Sequence, residues 1–326
     1  MPEKFGKAVV LGDACVDMTV PLPEFKKGRQ GDDFIQPTLA GGGTCANTAV
    51  ALSKLDVETA FMGTLGQDSF GRYLLDEFST MGIDTEFVQI DPDSNTVCCF
   101  AFLDPYGEKH MWAWPKEKQS YARLDVGKID LDKLKSASWL HSSGMNFYAG
   151  GPIREILPEL FKTAYEAGVT TSFDLNTRVA TPEALDPGIK EAVLKTLPYC
   201  TYILGSARDE FYSLFPCNDW KDSAGHFSTK NNTVIARSGA DETWIRERGG
   251  SWYSVPSFKV KAVNTTGAGD VFNAGFVSGR LHGKSTAESV RWGAAAAAYK
   301  VARGGARETP DMSQLLKFME SFGEDA

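Results

Sequence analysis

Hydrophobic positions along the chain change their period repeatedly. Ala8 to Leu11 (AVVL) is a short apolar run of strand type, and Cys45 to Leu55 (CANTAVALSKL) carries apolar residues at helical spacing. Thr59 to Gly63 is again strand-like, and a helix is predicted from about Phe70 to Met81. The rhythm returns with Trp139-Leu140 (strand), Ile153 to Ala167 (helix), Val169 to Phe173 (strand) and Lys190 to Leu197 (helix). Thr201 to Leu204 (strand), Asp209 to Phe215 (helix) and Thr233 to Ala236 (strand) continue it. Such alternation predicts parallel βαβ units in an α/β fold. From Gly267 to Phe322 the pattern predicts helix after helix, with an alanine run from Ala294 to Ala298 suited to close helix packing.

Two regions break the rhythm. Residues 15–39 contain CVDMTV and FIQPTL, and in residues 94–115 two β-rich runs flank the turn Asp104-Pro105-Tyr106-Gly107. They predict a small sheet appended to the main one. No Pro/Ser linker or repeat interrupts the chain, so one domain over residues 1–326 is expected.

Composition narrows the function classes. The formal charge of −8 argues against a non-specific nucleic-acid binder, which needs a basic face. The N-terminal residues contain no signal-length apolar run, and no stretch approaches the roughly 18 apolar residues of a spanning helix, so a cytoplasmic protein is expected. The cysteines (Cys15, Cys45, Cys98, Cys99, Cys200, Cys217) show no C-x-x-C spacing and read as small thiols in a reducing compartment.

The strongest chemical signal is residues 264–276, NTTGAGDVFNAGF. Phe258 to Val263 (FKVKAV) is a candidate strand before it, and an apolar helical pattern follows it. Gly267-Ala268-Gly269 would then expose backbone N–H groups at a helix N-terminus, which binds anions. Asp270 is either a helix-start carboxylate or a base facing a hydroxyl beside the bound anion. Two other nucleotide loops fail. The third glycine of G-x-G-x-x-G would be Phe272, and Gly279 to Ser285 (GRLHGKS) has too few residues between its glycines for a Walker A loop.

NTTGAGDVFNAGF closely resembles the C-terminal signature of the ribokinase (PfkB) family of carbohydrate kinases. Gly12 to Asp17 (GDACVD), Gly41 to Leu55 (GGGTCANTAVALSKL), Gly63 to Gly71 (GTLGQDSFG) and Asp174 to Arg178 (DLNTR) resemble further family segments in order, over nearly all of residues 6–310. The resemblance implies a ribokinase-like three-layer sandwich with a mostly parallel central sheet. It also implies a small β lid from about 15–39 and 94–119 that closes over the substrate. It implies ATP-dependent phosphorylation of a sugar hydroxyl with Mg²⁺ as cofactor.

Residue roles follow by the same resemblance. Asp270 is the catalytic base, held ionised by the helix N-terminus, and Gly267, Ala268 and Gly269 form the anion hole. Asp17, Gly42, Gly43 and Asn47 bind the sugar, Arg237, Gly239 and Asn176 lie on the nucleotide side, and Glu210 organises the metal. The chain departs from the family pattern at Ala207, Arg237 and Glu242. Asn264 stands where many members carry an aspartate that supports a monovalent cation, and loss of that charge argues against potassium activation.

GGGTCAN lacks the lysine that phosphosugar kinases and ribokinase often carry after the two glycines, which favours a neutral or carboxylated unphosphorylated sugar. Lys116, Lys118 and Arg123 are candidates to reach a carboxylate, which keeps a sugar acid open. Trp112 and Trp114 share one strand face, as an aromatic wall for the sugar or, the blander reading, as a packing or dimer face. His110 and His141 lack ligand spacing and read as structural. A homodimer is expected by resemblance, with no nucleic-acid or membrane partner. The rival readings are a non-catalytic sensor on the same fold, a phosphosugar or nucleoside kinase, and, least favoured, a dinucleotide-dependent oxidoreductase.

Overall fold

The computed structural model describes residues 7–22, 35–104, 106, 108–179, 181–305 and 307–323. Its strands are β1 (Ala8–Leu11), β2 (Cys15–Pro21), β3 (Thr38–Gly42), β4 (Thr59–Gly66), β5 (Asp84–Asp91), β6 (Val97–Leu103) and β7 (Lys109–Trp114). They continue with β8 (Trp139–Ser143), β9 (Thr170–Asp174), β10 (Tyr202–Ser206), β11 (Thr233–Arg237), β12 (Glu242–Glu247) and β13 (Trp252–Pro256). The helices are α1 (Thr44–Lys54), α2 (Ser69–Thr80), α3 (Leu131–Lys135), α4 (Ile153–Glu166) and α5 (Pro187–Thr196). After them come α6 (Glu210–Leu214), α7 (Trp220–Gly225), α8 (Ala268–Leu281), α9 (Thr286–Val301) and α10 (Met312–Ser321).

Nine strands form one sheet in the order β13-β12-β11-β10-β9-β8-β1-β4-β5. It is parallel from β11 to β5, and only the β11–β12 and β12–β13 pairings are antiparallel. The alternation along β1 shows why both faces are covered. Ala8 and Val10 join a buried cluster with residues of α1, α8 and α9, while Val9 and Leu11 join a second cluster with residues of α4 and α5. The result is helix–sheet–helix, the expected three layers. The alanine run of α9 packs against α8, where a Cβ on Gly275 would lie 2.8 Å from Gly293 Cα. Only a hydrogen at that position permits so close an approach.

β3-β2-β6-β7 form a separate four-stranded sheet. It is built from the two β excursions from which a lid is expected, although part of the first (residues 23–34) and Pro105 and Gly107 of the turn lie outside the described residues. Period-2 alternation gives it two faces. Cys15, Asp17 and Thr19 of β2, Cys99 and Ala101 of β6, and Met111 and Ala113 of β7 face one cavity.

One expected strand is absent. Residues 258–263 are irregular, because β13 ends at Pro256 and the chain then leaves the sheet edge. The alternation of FKVKAV is used differently: Phe258, Val260 and Ala262 line a cavity, while Val263 is exposed. The turn Gly279 to Ser285 is a helix end followed by a capping box in which Ser285 and Glu288 cap α9, as the rejection of a phosphate loop requires.

Candidate active site

Two cavities meet at the N-terminus of α8. One, of about 550 Å³, lies between the lid and the main sheet and is lined by Asp13, Asp17, Gly43, Asn47, Arg178, Gly267 and Asp270 among others. The other, of about 430 Å³, is lined by Glu210, Arg237, Gly239, Phe258, Ala268, Gly269, Phe272 and the small residues of α9. The turn Gly267 to Asp270 divides them, so a group reaching through from either side meets the first helical turn. Gly267 occupies the left-handed region at φ 78°, which starts the helix sharply. The Ala268 N–H is already donated to Thr265 O at 3.1 Å. That amends the expected three-residue anion hole: Ala268 shapes the turn, and the donors left for an anion are those of the rest of the first turn, where helices have no internal acceptors.

Asp270 is buried, and burial pushes its carboxyl up to about 7. The Asn47 hydrogen bond opposes that rise, Asp174 and Asp13 reinforce it, and Arg178 opposes it. The expectation that the helix N-terminus alone keeps Asp270 fully ionised is therefore corrected, since desolvation outweighs it. A carboxyl near 7 is matched to general-base work at neutral pH.

Asn47 Nδ2 donates to Asp270 Oδ2 at 2.8 Å, and Thr48 Oγ1 donates to the Asp270 carbonyl at 3.2 Å. Helix α1 thereby orients the Asp270 carboxyl. Asn47 Oδ1 is buried with no hydrogen-bond partner among the described residues, an acceptor available to a hydroxyl in the cavity. Asp17 lines the same cavity from β2. Gly42 sits against it, where an added Cβ would lie 2.6 Å from the Asp17 carboxylate. Gly43 has φ 95°, and an added Cβ would meet Ala14 Cα and the Asp13 carbonyl at 2.7 Å. Asp13 in turn accepts from the N–H groups of Thr44 and Cys45 at 2.8 and 3.0 Å, which fixes the start of α1.

On the other side Arg237 ends β11 and Asp174 ends β9. Arg237 Nη2 meets Asp174 Oδ1 at 2.5 Å, and Arg237 Nη1 donates to Asn273 Oδ1 at 2.8 Å and to the Gly269 carbonyl at 3.2 Å. Asn273 Nδ2 completes the ring by donating to Asp174 Oδ2 at 2.9 Å. Burial opposes the charge on Arg237, but Asp174 and Glu210 more than offset it. Glu210 is pushed up to about 7 by burial and by Asp174, against Arg237 and the Ser206 N–H, which donates to Glu210 Oε2 at 2.7 Å.

Residues 6–312 match the profile of the pfkB family carbohydrate kinases. The chain belongs to that family. It is 25% identical over 321 residues to the 5-dehydro-2-deoxygluconokinase of Geobacillus thermodenitrificans, covering 96% of this chain and 92% of that protein. It is 27% identical over 318 residues to a fructokinase of Vibrio alginolyticus, covering 95% and 98%. Its fold superposes on the ATP-bound fructokinase of Xylella fastidiosa with a TM-score of 0.82 at 23% identity, covering 98% and 99%. The ribokinase-like fold is thus established, and the protein is a carbohydrate kinase.

Within this pfkB kinase most residues expected at the site converge, and some do not. Asn176, expected on the nucleotide side, does not line the cavity of Glu210 and Arg237: it donates to Thr44 Oγ1 at 3.4 Å and accepts from Arg178 Nε at 3.1 Å. Arg123 is committed to Asp91 at 3.3 Å, outside the cavity, while Lys116 and Lys118 are exposed and do not line it. Arg178 is the guanidinium that does. Trp112 and Trp114 face away from the cavity, 51% and 39% exposed, and Trp112 stacks on Phe100 with ring centroids 5.5 Å apart. The aromatic-wall reading is corrected accordingly, since strand period places Met111 and Ala113 inward instead. His141 is buried against Ser172 at 2.7 Å and is pushed down to about 4 by burial, a structural histidine.

Asn264 ties the α8 turn to the end of α9. Its Nδ2 donates to the Gly304 carbonyl at 2.5 Å and its Oδ1 accepts from the Thr266 N–H at 2.8 Å. Its carbonyl accepts from Lys300 Nζ at 2.8 Å. Lys300 is fully buried and, among the described residues, has no ion pair with a carboxylate. Sequence reading gave no individual role to Asp174, Asn273, Arg178 or Lys300, although the first three lie in segments of family resemblance. For Asp174 and Arg237 a signal existed: both apolar strands (TTSFD, TVIAR) end on a charge, the position where open α/β sheets bind ligands. Lys300 gave only a charge inside an apolar helix.

Proposed function

We propose that this kinase transfers the terminal phosphoryl group of ATP to a hydroxyl of a small unphosphorylated sugar or sugar acid. One observation carries the reading: Asp270 and the first turn of α8 stand at the junction of two cavities, one polar and under a lid, the other walled by small apolar groups. The base takes the hydroxyl proton, the hydroxyl oxygen bonds to the γ-phosphorus, and the bond to the β-phosphate oxygen breaks with its electrons leaving on ADP. Phosphoryl transfer proceeds through a loose transition state, so the protein's work is positioning and charge stabilisation. Backbone N–H groups of the α8 turn and the Arg237 guanidinium supply the positive field. In the apolar cavity Phe258, Val260 and Ala298 offer a slot for a flat base. Glu210, a hard oxygen donor lining that cavity, fits Mg²⁺, which would neutralise phosphate charge there.

The polar cavity selects the acceptor. Its described lining carries the carboxylates of Asp13, Asp17 and Asp270 against the single guanidinium of Arg178. That balance disfavours a dianionic phosphosugar, while Arg178 matches one carboxylate, as the gluconate-type name of one relative would require. The outward face of the lid, with Trp112 and Trp114 exposed, is proposed to pair with a second copy. The test is ADP release from Mg-ATP with a panel of sugars, sugar acids, phosphosugars and nucleosides. Turnover confined to unphosphorylated sugars or their acids is expected. Fastest turnover on a phosphosugar would overturn the substrate class, and calorimetric binding without any turnover would favour a sensor.

A further inference from the structure

The lid wall of the polar cavity carries two thiols that the phosphoryl-transfer reading does not use. Cys15 and Asp17 stand two residues apart on β2, and Asp17 pairs directly with Cys99 on the neighbouring parallel strand β6. All three side chains leave the sheet on the cavity face and line the same space. Cys15 Sγ lies 3.9 Å from Asp17 Oδ1, and the ligand atoms of Cys15, Asp17 and Cys99 all fall within 4.8 Å of one another. Both thiols are unoxidised and half-buried.

The geometry points to a thiophilic divalent-cation site formed by Cys15, Cys99 and Asp17, with its open position facing the cavity. Metal–sulfur distances near 2.3 Å and metal–oxygen distances near 2.1 Å in a tetrahedron separate neighbouring ligands by roughly 3.5–4 Å. The Cys15–Asp17 separation already meets that span. Two thiolates on one face select a soft or borderline ion such as Zn²⁺ or Cd²⁺ over Mg²⁺, which takes oxygen. Binding expels the thiol protons to solvent as the metal–sulfur bonds form, without any change of oxidation state. Because Asp17 also belongs to the proposed sugar site, the metal and the sugar exclude each other. That exclusion rests on the function proposed above, whereas the metal site itself does not.

The experiment titrates the full chain with Cd²⁺ and follows thiolate-to-cadmium charge-transfer absorption. One equivalent is expected in the native sequence and in Cys217→Ser. Cys15→Ser and Cys99→Ser should each weaken binding at least about tenfold. Absence of the band in the native protein overturns the site, as does its persistence in a Cys15→Ser/Cys99→Ser double variant whose near-UV circular dichroism is native. If those variants do not fold, alkylation of the native chain decides: Cd²⁺ should protect Cys15 and Cys99 from iodoacetamide as mapped by mass spectrometry, and unprotected labelling overturns the site. A substrate found in the sugar panel should raise the Cd²⁺ dissociation constant. A normal band without that competition upholds the metal site and counts against Asp17 as a sugar ligand.

Discussion

Asn47 and Asp270 are 223 residues apart in the chain, and the Asn47 amide donates to the Asp270 carboxylate at 2.8 Å. The N-terminal glycine-rich segment and the C-terminal helix turn are thus one device: α1 holds the carboxyl that α8 presents, the base of the proposed reaction. The bond lowers the cost of charge on Asp270 and fixes which carboxylate oxygen faces the cavity. Asn47→Ala should leave that carboxyl higher and less well oriented. The acidic limb of the kcat/KM profile should move to higher pH, with kcat falling by about tenfold. An unmoved profile would remove Asn47 from this role.

Asp270 itself sets the sign of the pH dependence. A base must be deprotonated to accept a proton, so kcat/KM should rise with pH and level off above about 7. Stability runs the other way. A carboxyl raised from 3.8 to about 7 favours the protonated folded state, so the free energy of unfolding, and with it stability, decreases as pH rises through that window. The shift corresponds to a penalty on the charged form of about 4 kcal/mol at neutral pH. Asp270→Asn should therefore cut kcat by about 10²–10⁴ while raising Tm, with a modest change in sugar affinity. Near-normal turnover, or a lowered Tm, would contradict the assignment.

Arg237, Asp174 and Asn273 close a buried ring beside the cavity lined by Glu210 and Phe258, the nucleotide side of the proposed reaction. Removing the guanidinium leaves Asp174 charged and uncompensated in the interior. Arg237→Ala should cost about 3–5 kcal/mol in urea unfolding and raise KM for ATP. A loss below about 1 kcal/mol would mean that the ring is dispensable.

Lys300 places a fixed ammonium behind the turn through the Asn264 carbonyl. Burial pulls its pKa down, against Glu308 and Asp270. A tethered cation makes an exchangeable one redundant, so replacing potassium by sodium should not change turnover. Lys300→Ala should lose about tenfold in kcat and recover part of it with methylammonium. Unchanged kcat in that variant would leave Lys300 a packing residue.

Arg178 lines the lid-side cavity beside Asn176. If the substrate carries a carboxylate, Arg178→Gln should raise KM for sugar acids by at least about tenfold and leave neutral sugars nearly unaffected. Equal effects on both classes would argue for a positional role.

Local chemistry made much of this protein legible before any coordinates. Strand and helix periods, the lid's alternating runs and the GAGD turn depend on backbone geometry and on neighbours within a few residues, so a linear pattern carries them. FKVKAV shows the limit, because its strand-like alternation fits a cavity wall as well as a sheet. The properties that make the site chemical belong to packing. Desolvation of Asp270, the pairing of Arg237 with Asp174 across 63 residues, the burial of Lys300 and the turning of Arg178 rather than Arg123 into the cavity arise from groups distant in the chain. Exclusion of water and the distances between charges are set only when the layers close, and those two quantities decide which carboxyl can act as a base.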